Sequence, residues 1–160
     1  MVIDDILASG PRDWGIVGAS LRSPDTRDAL SPQDCLYTVA VRSSTGTEHR
    51  VVGSILDIVV AAESPARLIA RLADPATRIV ALTVTEKGYC QTPQTGELNE
   101  DHPDMVHDLS HLDAPRSAPG FIVAALARRK AAGTVPFTVM SCDNLPANGA
   151  TTARILNRLA

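Results

Sequence analysis

The sequence predicts an α/β domain with a mostly parallel sheet. Short apolar, β-rich runs at 14–21, 78–85 and 137–142 alternate with helical stretches of about 8–15 residues, the pattern of β-α-β units. Two further β-rich runs joined by a Gly-containing turn add a hairpin near 35–60. The length of 160 residues, 44% of them apolar, suits one core that buries roughly 70% of the unfolded surface.

Each element has a local reason. Residues 2–8 place Val2, Ile3, Ile6 and Leu7 on one helical face, and Gly10-Pro11 stops them. The run 14–21 shows little alternation, which predicts burial on both faces. Ser23-Pro24-Asp25 starts a helix through Leu30, with Ser23 as N-cap and Pro24 at the first helical position. Residues 35–42 form a strand, 43–47 a turn around Gly46, and 49–60 the returning β-rich stretch. Ser64-Pro65 caps a helix through Ala73 with Leu68, Ile69 and Leu72 on its apolar face, and Asp74-Pro75 ends it.

The run 78–85 is the clearest buried strand. Residues 86–100, with Pro93 and Gly96, read as loop, and Pro103 starts a short helix. A longer helix over 117–132 stops at Gly133. Strand 137–142 and a helix over 149–159 close the pattern.

Composition excludes several classes. Fifteen Lys+Arg against eighteen Asp+Glu, with few aromatic rings, argue against a nucleic-acid groove, which needs a basic stripe and stacking platforms. No apolar run approaches the ~20 residues of a membrane span. The start MVIDDILASG lacks the marks of a secretory signal. Three scattered cysteines, Cys35, Cys90 and Cys142, argue against a disulfide framework or a zinc site and suit a reducing cytoplasm.

In open parallel sheets ligands bind outside the carboxyl ends of the strands, so three strand ends matter: 21–25, 85–89 and 141–144. Asp25 either accepts hydrogen bonds from a ribose hydroxyl or is a first-turn acid favoured by the helix dipole. Glu86 beside Lys87 is either a proton-relaying carboxylate or half of a solvated pair. Asn144 offers a neutral donor for a developing alkoxide, or belongs to a turn in which Asp143 or Asn148 caps the next helix. His102, His107 and His111 lack H-E-x-x-H spacing, and no metal is expected on them. Arg128-Arg129-Lys130 reads as a solvated last turn complementing the dipole. No Gly-x-Gly-x-x-Gly occurs.

Three stretches carry a family resemblance: Asp13-Trp-Gly-Ile-Val-Gly-Ala-Ser-Leu-Arg-Ser-Pro-Asp25, Thr83-Val-Thr-Glu-Lys-Gly-Tyr-Cys90 and Ser141-Cys-Asp-Asn-Leu-Pro-Ala-Asn-Gly149. Together they resemble the mannitol dehydrogenase family, polyol-specific long-chain NAD(P)-dependent dehydrogenases, in order and spacing over essentially the whole chain. The resemblance implies that residues 1–160 are a partial Rossmann-type dinucleotide-binding domain. It places Asp25 at the acid that selects NAD over NADP, Glu86 at the carboxylate of the substrate cavity and proton channel, and Asn144 in the oxyanion hole around the reacting C–O group. It implies a polyol or ketose substrate and no metal. Pro24 stands where some members carry a second acid.

In the family the first strand and glycine-rich loop precede the helix that begins here near Val2, and the catalytic lysine lies in a C-terminal domain. Turnover by residues 1–160 alone is therefore not expected. A sheet of order 3-2-1-4-5-6 without its first strand exposes the edges of 14–21 and 78–85. The expected result is a sheet that is split, re-paired between those runs, or completed by another chain, with self-association favoured. The competing reading is an inactive truncated product or partner-completed fragment.

Overall fold

The computed structural model describes residues 2–10, 13–92 and 95–160. The chain divides into two compact units, residues 1–60 and 61–160. Among the described residues the strands form three two-stranded sheets.

The first unit runs α1 (Val2–Ser9), β1 (Ile16–Ser20), α2 (Asp25–Leu30), β2 (Tyr37–Ser43), β3 (Gly46–Val52) and β4 (Ile55–Val60). Helix α1 ends beside Gly10 as expected, and Pro11 of that stop signal lies outside the described residues. β2 and β3 form the antiparallel hairpin, with Tyr37 opposite Val52 and Ser43 opposite Gly46. The hairpin stops sooner than the sequence suggests. Residues 49–60 divide at Gly53-Ser54, and β4 leaves to pair in parallel with β1, from Val17 opposite Asp57 to Ser20 opposite Val60. A β-rich run cannot announce a change of partner, because both of its halves satisfy the same local pattern. Arg50 of β3 reaches the acids of α1, with its Nη1 2.7 Å from Asp5 Oδ1 and a second ion pair to Asp4. Cys35, Val52, Ile58, Val59 and Val60 are buried.

The helix start at 23–25 is shifted by one residue. Pro24 occupies the N-cap position and makes no side-chain cap bond. Ser23 Oγ instead accepts from the amide of Asp25 at 3.2 Å, a local serine turn.

The second unit runs α3 (Pro65–Ala73), β5 (Ile79–Leu82), a 3-10 turn at Glu86–Tyr89, α4 (Pro103–Asp108), α5 (Ala118–Ala131), β6 (Thr138–Ser141) and α6 (Asn148–Leu159). β5 and β6 pair in parallel, with Ile79 opposite Thr138 and Leu82 opposite Ser141. Helix α5 packs against α3 and α6 and is buried from Ala118 to Ala125. Ser117 caps α5, its Oγ accepting from the Gly120 amide at 3.0 Å, and Gly133 follows its end at φ +65. Pro93, part of the expected loop, lies outside the described residues.

The two parallel pairs are those that strands 3-2 and 4-5 make in a 3-2-1-4-5-6 order. The runs 14–21 and 78–85 thus belong to different sheets, the split among the three expected results. Neither is buried on both faces. Ile16 is 36% and Ile79 46% exposed, because each strand has one ladder partner in its sheet.

The basic triplet of α5 is also corrected. Arg128 and Lys130 are exposed, whereas Arg129 is buried at 2%. Its guanidinium donates to the carbonyls of Thr77 and Val135 at 2.7 Å each and to that of Asp74, and lies 5.0 Å from the Phe137 ring centre. A planar group with several fixed donors can satisfy carbonyls from separate segments at once, so one arginine of three leaves the solvent.

Candidate functional site

The carboxyl ends of β5 and β6 lie side by side, and their ladder runs on past the strands where the Cys142 amide donates to the Leu82 carbonyl at 2.9 Å. Immediately beyond, one carboxylate organises the rim. Asp143 Oδ1 accepts from the Thr85 amide at 3.0 Å, and Oδ2 from the Val84 amide at 3.1 Å and the Tyr89 hydroxyl at 2.7 Å. The Tyr89 oxygen also lies 2.7 Å from Ser141 Oγ. Tyr89 itself is buried at 1%. Burial alone would raise the Asp143 pKa, but the Tyr89 hydroxyl and the two backbone amides outweigh it and hold the carboxyl below its ordinary value. Burial pushes the Tyr89 phenol up, and the adjoining Asp143 charge adds to that.

This bridge brings together two of the three expected site residues. Glu86 follows Thr85, and Asn144 follows Asp143, so each stands one residue beyond the Thr85–Asp143 hydrogen bond. Both are exposed, as is Lys87. Asp25 belongs to the first unit, exposed at the start of α2 beyond β1.

Asp143 does not cap α6, and Asn148 stands inside its first turn, where its Oδ1 accepts from the Gly149 amide at 2.7 Å. Ala147 holds the N-cap position without a side-chain bond, while Asn148 Nδ2 turns back to donate to the carbonyls of Ser141 at 3.2 Å and Asp143 at 3.1 Å. Both side chains tie the rim together instead. Their value lies in partners that meet only in the folded chain, so the turn-like composition of 141–149 pointed to the wrong job. The one usable signal was a lone acid two residues past a strand.

The backbone is strained here. Thr85 sits at φ 63, ψ 169, a region open essentially to glycine, and Cys90 and Ala147 are left-handed at φ 51 and φ 47. Such a β-branched residue persists only where its surroundings over-determine it, and the Asp143 bond to its amide is such a constraint. Gly88 closes the turn because a Cβ there would lie 2.6 Å from Val84 Cβ. Thr85→Gly is expected to raise stability by about 1 kcal/mol by releasing that strain, read as a higher urea midpoint. An unchanged or lower midpoint would show that Thr85 carries no stored strain.

Among the described residues the three histidines offer no common ligand set. His107 and His111 stack with ring centres 4.8 Å apart and use their Nδ1 atoms locally, on Asp108 and on the His107 carbonyl. His102 caps α4, its Nδ1 accepting from the Asp104 amide at 3.2 Å. Cys35 and Cys90 are buried and Cys142 is exposed.

A family model described as the mannitol dehydrogenase Rossmann domain matches residues 2–160. The chain belongs to the mannitol dehydrogenase family. It is 49% identical over 140 residues to a mannitol 2-dehydrogenase of Pyrenophora tritici-repentis, a match covering 86% of this chain and 25% of that protein. The structure of a Pseudomonas fluorescens mannitol 2-dehydrogenase, in ternary complex with NAD and D-mannitol, superposes with a TM-score of 0.91 at 47% identity over 99% of this chain and 33% of that one. A substrate-free D-sorbitol dehydrogenase gives 0.87 at 35% identity over 97% of this chain and 33% of that one. The chain therefore spans a quarter to a third of the length of these relatives. Its fold is the Rossmann-like α/β fold of the mannitol dehydrogenase N-terminal domain. Among the described residues no helix is long and apolar enough to cross a membrane.

Proposed function

We propose that residues 1–160 supply the dinucleotide-binding part of an NAD-dependent polyol dehydrogenase that moves hydride between a sugar alcohol and a ketose of the mannitol/fructose type. The observation that carries this reading is the 0.91 superposition on a relative solved with NAD and D-mannitol. The residues fit a dinucleotide. Asp25 is an exposed carboxylate just past a parallel strand, its backbone amide fixed by Ser23 Oγ, where it can accept from ribose hydroxyls and repel a 2′-phosphate. NAD, when bound, supplies the hydride acceptor.

At the rim of β5 and β6, Asn144 donates to the oxygen of the reacting C–O group and steadies its alkoxide character without adding a charge. Glu86 carries protons between that oxygen and solvent. Asp143 touches neither reactant and positions both residues by fixing the main chain that bears them. On the same footing we place the chain in the cytoplasm, give it small-molecule partners rather than nucleic acid or membrane, and expect self-association through strand edges.

The test is calorimetry with NAD and NADP on the chain, followed by a polyol-panel assay on the chain and on a version extended to the length of its relatives. NAD is expected to bind more tightly than NADP. Asp25→Asn should narrow or reverse that preference by about tenfold, the value of one charge-assisted hydrogen bond. No heat at millimolar NAD with either version, or a preference untouched by Asp25→Asn, would remove the reading.

A further inference from the structure

Both ends of the turn that carries Glu86 meet the same carboxylate. The Thr85 amide, just before the turn, donates to Asp143 Oδ1 at 3.0 Å. The Tyr89 hydroxyl, at its close, donates to Oδ2 at 2.7 Å. The phenol has one proton and gives it to the carboxylate, so the Ser141 hydroxyl, 2.7 Å away, donates to the phenol oxygen. The series from Ser141 through Tyr89 to Asp143 is thus polarised in one direction, and each bond strengthens the next. The hydroxyl hangs from a fixed anchor, since Tyr89 is 1% exposed. Thr85 at φ 63 and Cys90 at φ 51, which flank the turn, both hold positive φ. Such a backbone stays only while its surroundings hold it. On the other strand, Asn148 Nδ2 donates to the carbonyls of Ser141 and Asp143, which fixes the main chain leading into Asn144.

We propose that Tyr89 is a positioning residue for the reacting end: it closes the turn on Asp143 and thereby sets Glu86 in place relative to Asn144. On the dehydrogenase reading above, on which this rests, Tyr89 touches no reactant and acts only through Asp143. Without the hydroxyl, Asp143 keeps its two backbone amides, so the strand ends stay joined. The turn is then held at its Thr85 end alone. Glu86 swings with the released end, and the reacting oxygen loses an aligned proton partner. Asp25 belongs to the first unit, so cofactor preference does not depend on this bond.

Tyr89→Phe tests the role, because it removes the hydroxyl and keeps the ring. In residues 1–160, amide exchange at Thr85 should quicken at least about tenfold more than at the buried α5 amides, which report global opening. In the version extended to the length of its relatives, kcat per NAD-binding site should fall about ten- to a hundredfold. KM for the polyol and Kd for NAD should stay within about twofold, the pattern of an interaction made in the transition state. Ile69→Val, which shortens a buried side chain of α3, should lower the urea midpoint and leave kcat unchanged. Unchanged Thr85 exchange, an unchanged kcat, or a rise in KM alone would overturn the role of Tyr89 and leave the dehydrogenase reading standing. So would a kcat loss that Ile69→Val reproduces, the mark of a merely structural residue. An extended parent that binds no NAD and oxidises no polyol would instead remove the reading itself, and this role with it.

Discussion

Asp108→Ala is expected to lower stability by about 3–5 kcal/mol, a large share of the roughly 5–15 kcal/mol a domain has. Asp108 is fully buried at the end of α4. Its Oδ1 accepts from the Arg116 amide at 2.8 Å, and its Oδ2 from the Ser117 amide at 3.0 Å and the Ser117 hydroxyl at 2.6 Å. His107 Nδ1 lies 3.1 Å from Oδ1. Truncation leaves two backbone amides and a hydroxyl without an acceptor where water is scarce, and each such orphan costs about 1–3 kcal/mol. Ser117 also caps α5, so the entry to the most buried helix of its unit loosens with it. Gly120 leaves the room this carboxylate needs, since a Cβ there would lie 2.2 Å from Asp108 Oδ2. Urea unfolding measures the loss, and hydrogen exchange should locate it at the α5 N-terminus. A midpoint equal to that of the parent chain would show that Asp108 is not the joint described.

Asp143→Ala should cost about 2–4 kcal/mol, less than the loss at Asp108 because the rim is part-exposed and water can reach some of the freed donors. Asp143→Asn separates charge from shape. Its amide can accept from one of the two backbone N–H groups, but its own N–H2 opposes the other. The sign of the pH dependence follows from the lowered pKa. Because the folded pKa lies below the unfolded value of about 3.9, the contribution is fully present above that value and disappears as pH falls through the folded pKa. Asp143→Asn should therefore be less stable at neutral pH and show a shallower loss of stability in acid. Parallel stability curves for the two proteins would contradict the assigned role. At the alkaline end the Tyr89 pKa is raised, so its contribution is fully present below the unfolded value and is lost as pH rises through the folded one. Asp143→Ala should bring Tyr89 ionisation to lower pH in an absorbance titration, since part of its rise comes from that carboxylate.

The three strand-end motifs made the family legible, and two of them, 83–90 and 141–149, meet in the fold through Asp143. That residue was visible only as a turn acid. Its donors lie 54–59 residues away, beyond the reach of any window of periodicity. Asp108 was equally inconspicuous in HDLSHLD beside two histidines, although the acid holds Ser117 at the start of α5. Arg129 could not be told from Arg128, because which arginine of a basic triplet turns inward depends on carbonyls contributed by other segments.

The sequence by itself determined the order of helices and strands, most of their ends, and family membership, because helix and strand periods, caps and turn residues act over a few neighbours. Only the tertiary structure decided that β4 pairs with β1 rather than prolonging the hairpin, and which carboxylates hold the second unit together. Pairing and burial are relations between distant segments, and their energies come from donors and acceptors that become neighbours only once the chain has folded.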